Sequence, residues 1–160
     1  MSETRIYVRN QAVAAGLVNL VLNPAIEWVL NRGKGFQPLW GSDGVVVNMA
    51  VTSVILSALV ASFAARGVHH ELARGRISMV PAPRALLRLP TRASRLGLLL
   101  GVGAAVAVTV VFWLLHVAGG SGLSFAALLA LKAGYCGALG FLVARVTMLR
   151  LLAPTGQYTP

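Results

Sequence analysis

Residues 96–144 read LGLLLGVGAAVAVTVVFWLLHVA, then GGSG, then LSFAALLALKAGYCGALGFLVA. Each flank of the glycine turn is long enough to cross about 30 Å of hydrocarbon, which takes roughly 20 apolar residues in a helix. A GGSG linker at 119–122 turns tightly, so the spans over 96–118 and 123–144 form a helical hairpin. Toward the N-terminus the same pattern gives apolar stretches over 11–30 and 44–65, separated by Asn31, Arg32, Gly33 and Gly35, residues that stop a helix. The expected fold is all-α and integral to a membrane: four transmembrane helices in one domain, paired as two hairpins, with a connection over 66–95 and a flexible tail over 153–160.

Composition agrees with this. Of 160 residues, 57% are hydrophobic and 11% charged, and the mean hydropathy is +0.76, outside the range of ordinary soluble domains. Fourteen Lys and Arg against four Asp and Glu give a net charge of +10. Most of these basic residues lie between the apolar segments, which points to a membrane surface and away from nucleic acid as a partner. A bias toward Arg, Ala, Gly, Val and Leu fits a bacterial source, and hence a bacterial cytoplasmic (inner) membrane. Cys136 is the sole cysteine, so an intrachain disulfide, a CxxC redox pair and a cysteine-based zinc site are all excluded. Arg5 and Arg9 precede the first apolar stretch, but no small-x-small cleavage site follows, so it reads as a retained helix.

The loops set a direction. Arg66, Arg74, Arg76, Arg84, Arg88, Arg92 and Arg95 crowd the middle connection, whereas the first loop holds Arg32 and Lys34 and the third holds neither Lys nor Arg. Under the positive-inside rule the middle connection is cytoplasmic. Arg5 and Arg9 before the first span, and Arg145 and Arg150 after the fourth, place both termini there too, an N-in/C-in arrangement. Within the connection, Arg84, Arg88, Arg92 and Arg95 recur at helical spacing and would line one face of a short in-plane amphipathic helix suited to anionic lipid phosphates. Pro81, Pro83 and Pro90 forbid one long helix there. The same arginines also serve simply as topology determinants. His69, His70 and Glu71 are adjacent and point in different directions, which is poor geometry for a metal.

The polar residues inside the spans are the candidate site. Asn19, Asn23 and Glu27 are spaced by four and share one stripe of the first helix, and Pro24 frees a carbonyl near residue 20 and predicts a kink. Asn48 and Thr52 lie one turn apart in the second span, His116 near the end of the third, and Lys132 with Tyr135 in the fourth. In the topology above, Asn23, Glu27, Asn48, Thr52, His116 and Lys132 all fall in the outer half of the bilayer. Glu27 is the one acidic residue in any span, and an unpaired charge at mid-membrane costs about 2.5 to 3.5 kcal/mol or more, so Lys132 is its expected partner. The alternative is that both charges snorkel to the interface while the asparagines act as interhelical glue. Gly97 with Gly101, and Gly134, Gly137 and Gly140, form small-residue stripes for close packing between hairpins or between subunits.

A faint internal echo aligns IEWVLN (26–31) with VFWLLH (111–116) and ASFAAR (61–66) with GFLVAR (140–145), pairing Trp28 with Trp113 and Arg66 with Arg145. It reads either as a parallel duplication or as the interfacial residues that any hairpin repeats. A membrane glutamate in the first of four helices is similar to the arrangement in small multidrug-resistance exporters. That likeness covers one residue, and those chains are shorter and lack the long basic connection. Haem needs two axial ligands and only His116 lies in a span; hydrolase and nucleotide-binding motifs are absent, so neither a cofactor nor an enzymatic activity is expected. Two functions stay open: a channel or transporter for an ion or small polar solute, built on Asn19, Asn23, Glu27, Asn48, Thr52, His116 and Lys132; or an accessory protein that docks anionic lipid or a larger membrane complex. Either fits a homo-oligomer or a subunit of a complex.

Overall fold

The structure is a computed structural model that describes residues 3–81 and 83–154, Arg84 by its backbone alone. Most of the expected tail, residues 155–160, therefore lies outside the described residues. Four helices are long and apolar enough to cross a membrane: α1 (Glu3–Asn31), α2 (Val45–Ala73), α4 (Ala93–Val117) and α5 (Phe125–Leu151). Among the described residues the remaining elements are the single-turn α3 (Arg84–Leu87) and two three-residue strands, β1 (Phe36–Pro38) and β2 (Gly122–Ser124). The protein is a multi-pass membrane protein.

Three of the long helices overrun the expected spans at one end. There Val8 and Ala12 of α1, Val68 of α2, and Ala144 and Met148 of α5 pack with Leu152 and with Ile77 of the connection. The connection is strapped across this end: the Ser78 amide donates to Thr4 Oγ1 at 3.1 Å, and the Val80 amide to the Leu152 carbonyl at 3.0 Å. Arg150, 8% exposed, donates to the carbonyls of Leu87 and Leu89 at 3.4 and 2.8 Å. That is the usual use of a cation beside carbonyls that a helix end leaves unpaired.

The arginine array does not form one helical face. Pro83 caps α3 at its start and the helix ends at Leu87, so Arg88 is its C-cap, Arg92 is the N-cap of α4, and Arg95 belongs to α4 itself. Arg88, Arg92 and Arg95 are exposed. Pro90 separates the two helices, which is why a spacing of four across it carries no shared face.

At the opposite end the two loops join. β1 and β2 pair antiparallel, Phe36 with Ser124 and Pro38 with Gly122, and the Leu39 amide donates to the Ser121 carbonyl at 3.1 Å. The GGSG segment is thus a turn followed by a strand, and α5 begins at Phe125, capped by Ser124 Oγ accepting from the Ala127 amide at 3.3 Å. Gly119 makes the turn with φ +93°, in the left-handed region where a side chain is strained.

Helices joined by the strand-end loops, α1 with α2 and α4 with α5, are not the main packing partners. α1 packs along α5, α5 along α2, and α2 along α4, giving the order α1–α5–α2–α4. Gly16 meets the Gly137 carbonyl and Phe141, and Gly97 and Gly101 meet the α2 backbone at Ser57 and Val54. The GxxxG stripe therefore works within the chain, whereas Gly103 and Gly134 face open space. A Cβ at Gly101 would lie 2.8 Å from Val54 Cα. Exchanging α1 with α4 and α2 with α5 leaves the packing order unchanged, and in the register of the tryptophan echo Gly16 corresponds to Gly101. Both observations support the duplication reading.

Gly101→Val is expected to separate α2 from α4 and cost about 1–3 kcal/mol, as overpacking does. Gly103→Val, a change toward open space, should leave stability within about 0.5 kcal/mol. Thermal unfolding of the two variants in one detergent checks the contrast, and equal losses would place the packing elsewhere.

Candidate functional site

Glu27 and Lys132 meet in the structure. Lys132 Nζ donates to Glu27 Oε2 at 2.5 Å, and the two residues are 5% and 3% exposed, the lysine being the more exposed. α1 and α5 run antiparallel, and helical side chains lean toward their own N-termini, so the two reach toward each other across a difference in depth. Lys132 sits two turns inside α5 because that helix starts at Phe125, and Glu27 sits one turn from the end of α1.

Amides complete the carboxylate's shell. Asn31 Nδ2 donates to Oε1 at 2.7 Å, and Asn48 Nδ2 lies within 3.3 Å of Oε1 and 3.1 Å of Oε2. The Thr52 hydroxyl donates at 3.5 Å to Asn48 Oδ1, which fixes the orientation of that amide. A buried charge survives only when paired and hydrogen-bonded, and Glu27 has both. Asn31 continues the stripe of Asn19, Asn23 and Glu27 by one more step of four, a signal that its role as a helix stop concealed.

The other members of the stripe serve α1 itself. Asn19 Nδ2 donates to the Ala15 carbonyl at 2.8 Å and packs over Gly140, while Asn23 Nδ2 donates to Asn19 Oδ1 at 3.0 Å and to its carbonyl at 3.3 Å. These bonds end on the Ala15 and Asn19 carbonyls and so miss the Leu20 carbonyl that Pro24 frees, and α1 continues through Pro24 as one helix to Asn31. His116 stands apart, exposed, with Nδ1 3.2 Å from the Gly120 carbonyl and its ring edge-on to Trp40 at 6.1 Å. It lies in the last turn of α4, nearer the strand end than Lys132 and on the far side of α2 from α5.

The ion pair forms part of a cavity of about 380 Å³ at the strand end of α1 and α2, also lined by Asn23, Asn48, Thr52 and the loop residues Lys34, Gln37 and Asp43. Its size lies within the range of about 300–1,000 Å³ typical of small-molecule sites. Gln37, in the middle of β1, is 5% exposed, and its Nε2 has no hydrogen-bond partner among the described residues. No periodic pattern marked Gln37 in the sequence; only the strand pairing turns it inward.

The echo gives this cavity a counterpart. Extending the register that pairs Trp28 with Trp113 and Arg66 with Arg145 matches Asn23 to Val108, Glu27 to Phe112, Asn48 to Ala127, Thr52 to Leu131 and Lys132 to Ser53. Val108, Phe112, Ala127 and Leu131 line a groove between α4 and α5 that is apolar throughout except for the Tyr135 hydroxyl, bonded to Ser53 Oγ at 2.6 Å. Two equivalent places in the fold thus carry opposite chemistry. No protein-family model matches the chain, and no curated protein or solved structure matches it either.

Glu27→Gln leaves a buried ammonium without its counter-ion, which typically costs about 3 to 5 kcal/mol. Adding Lys132→Met is expected to recover much of that loss. Unfolding of the two single variants and the double variant measures the coupling, and additive losses would mean that the pair contributes nothing as a pair.

Proposed function

We propose that the protein is a small transporter of a bacterial cytoplasmic membrane, and that its polar cavity admits an ion or small polar solute from the outer side. The observation that carries this reading is the buried Glu27–Lys132 pair with its amide shell, present in one of two equivalent grooves. Packing alone does not require it, because the counterpart groove packs with Phe112, Val108 and Leu128 in apolar contact. Intramembrane ionisable groups held in a cavity are characteristic of substrate and proton pathways. The basic connection lies on the cytoplasmic side in this reading, and Lys34 and Asp43 flank the outer mouth.

A second reading, an accessory protein that holds anionic lipid or a larger complex, draws on the exposed Arg88, Arg92 and Arg95. The two differ in what the ion pair does. In proteoliposomes tested for movement of protons, monovalent cations and small anions, the wild type is expected to move at least one faster than the folded Glu27→Gln, Lys132→Met variant. Equal rates for every solute would favour the accessory reading.

Orientation is checked independently. The native thiol of Cys136 is fully buried, so cysteines introduced at Arg76 or Arg92 and at Ser42 report without background. Impermeant reagents added to intact cells are expected to label the Ser42 position and to spare the other two. The opposite pattern would turn the cavity to the cytoplasm.

A further inference from the structure

The polar cavity continues as a cleft toward the membrane interior. Past Asn23 and Thr52 it runs between α1 and α2 as a lateral groove walled by Val18, Leu22, Val51, Ile55, Leu59 and Phe63. That groove continues past Val60 and Phe63 to Tyr7 and Gly67, over Ala144 and Met148 of α5. The chemistry changes sharply along it: Lys34, Gln37, Asp43, Asn48 and Lys132 gather at the strand end, and aliphatic side chains dominate beyond Thr52. From Val45, where α2 starts at the strand end, to Ile55 the helix rises about 15 Å at 1.5 Å per residue. That is close to half of the roughly 30 Å hydrocarbon core, the depth of one leaflet.

The polar end has an unfilled requirement. Lys132, Asn48 and Asn31 all direct their donors at Glu27, so the carboxylate is satisfied from within the protein. Gln37 Nε2 is a buried donor without an acceptor, and it lines the cavity together with the ammonium of Lys34. Native structures rarely leave such a donor unpaired, and a ligand oxygen would satisfy it. A positive charge beside an unpaired N–H selects an anionic acceptor, and Asp43 at the same mouth leaves room for a cationic or hydroxylated substituent farther out.

We infer that this groove binds one phospholipid from the outer leaflet, its phosphate held near Lys34 and Gln37 and one acyl chain lying along α1 and α2 past Val51 as far as Ile55. The inference rests on the reading of the polar cavity as a binding site and goes beyond the solute it admits to a lipid that shares the groove. A water-soluble solute would use the polar end alone and leave the apolar extension without a role. A phospholipid uses both, and its polar end matches the polar end of the groove in sign and in depth.

The test uses full-length protein reconstituted in phosphatidylcholine vesicles containing a minor share of phosphatidylglycerol, then extracted gently and weighed by native mass spectrometry. The wild type is expected to retain one phospholipid. Ile55→Trp fills the groove from a position 55% exposed, outside the helix contacts, and should lower the retained fraction about tenfold. Gln37→Leu, which removes the unpaired donor, should lower it as well, with the unfolding temperature unchanged or raised. Equal retention by the wild type and Ile55→Trp would reduce the bound lipid to an ordinary annular layer and overturn the inference. Displacement of the lipid by millimolar inorganic phosphate would make free phosphate the ligand and overturn it too, as would a dimer that Ile55→Trp dissociates, since a second copy would then occupy the groove. Solute flux by a wild type that retains no phospholipid would sink this inference and spare the carrier reading. Lipid retention lost on Ile55→Trp, with no flux in any variant, would uphold the inference and sink the carrier reading alone.

Discussion

A carboxylate below the membrane surface must be matched by a cation and by hydrogen-bond donors, and much of this molecule follows from that requirement at Glu27. Lys132 supplies the charge from α5, Asn48 supplies an amide from α2, and Asn31 another from the next turn of α1. Three helices are therefore fixed in mutual depth and rotation by one group. The apolar surfaces of α1, α2 and α5 alone would not do this, because helices in hydrocarbon gain little from choosing one apolar face over another. Small residues then set how closely the helices approach, with Gly16 and Gly137 between α1 and α5 and Gly97 and Gly101 between α4 and α2.

Hydropathy made the four spans legible because each is a long apolar run, and it placed their strand-side ends within a few residues. It missed the extensions at the other end, where Tyr7, His70, Thr147 and Arg150 break the apolar run although the helix continues and packs. The pairing of Glu27 with Lys132 was readable because charge neutrality in hydrocarbon leaves few choices. The order of the helices was not. Short loops favour hairpin neighbours, and nothing in the sequence says that α5 lies beside α1 or that β1 finds β2 across the two loops. Depth could be counted along each helix while azimuth could not, which is why His116 joined the polar set on paper and stands on another face in the fold. The arginine array failed for a different reason: a spacing rule was carried across Pro90, where the helix it presumes is interrupted.

The two halves behave as variations on one unit. Each contributes a helix that packs by a glycine against the other half's second helix, a strand of the two-stranded pair, and an arginine stacked on an aromatic ring, Arg66 on Phe63 and Arg145 on Phe141 at 5.9 Å each. They part at the groove. One half presents Asn23, Glu27, Asn48 and Thr52 where the other presents Val108, Phe112, Ala127 and Leu131. An apolar groove is compatible with the membrane as it stands. A polar one needs a partner charge, and it takes that charge from the other half as Lys132, at a position whose own counterpart is Ser53. Chemistry in one groove thus depends on both halves even though it is expressed in one.

The partners of the ion pair stand 105 residues apart in the chain, and this separates them in time during synthesis. A ribosome adding about 5–20 residues per second takes roughly 5 to 20 seconds to make that stretch. Glu27 enters the membrane at the start of the interval and Lys132 at its end. Asn31 follows at once on the same helix, and Asn48 is inserted with α2, so both amides are made before the counter-ion. Asn31, one turn away on the same helix, is the donor within reach of the carboxylate, or of its protonated form, while the bundle is half built. When α5 inserts, Lys132 finds an acceptor already oriented, and insertion of the last helix becomes the event that locks the first one in place.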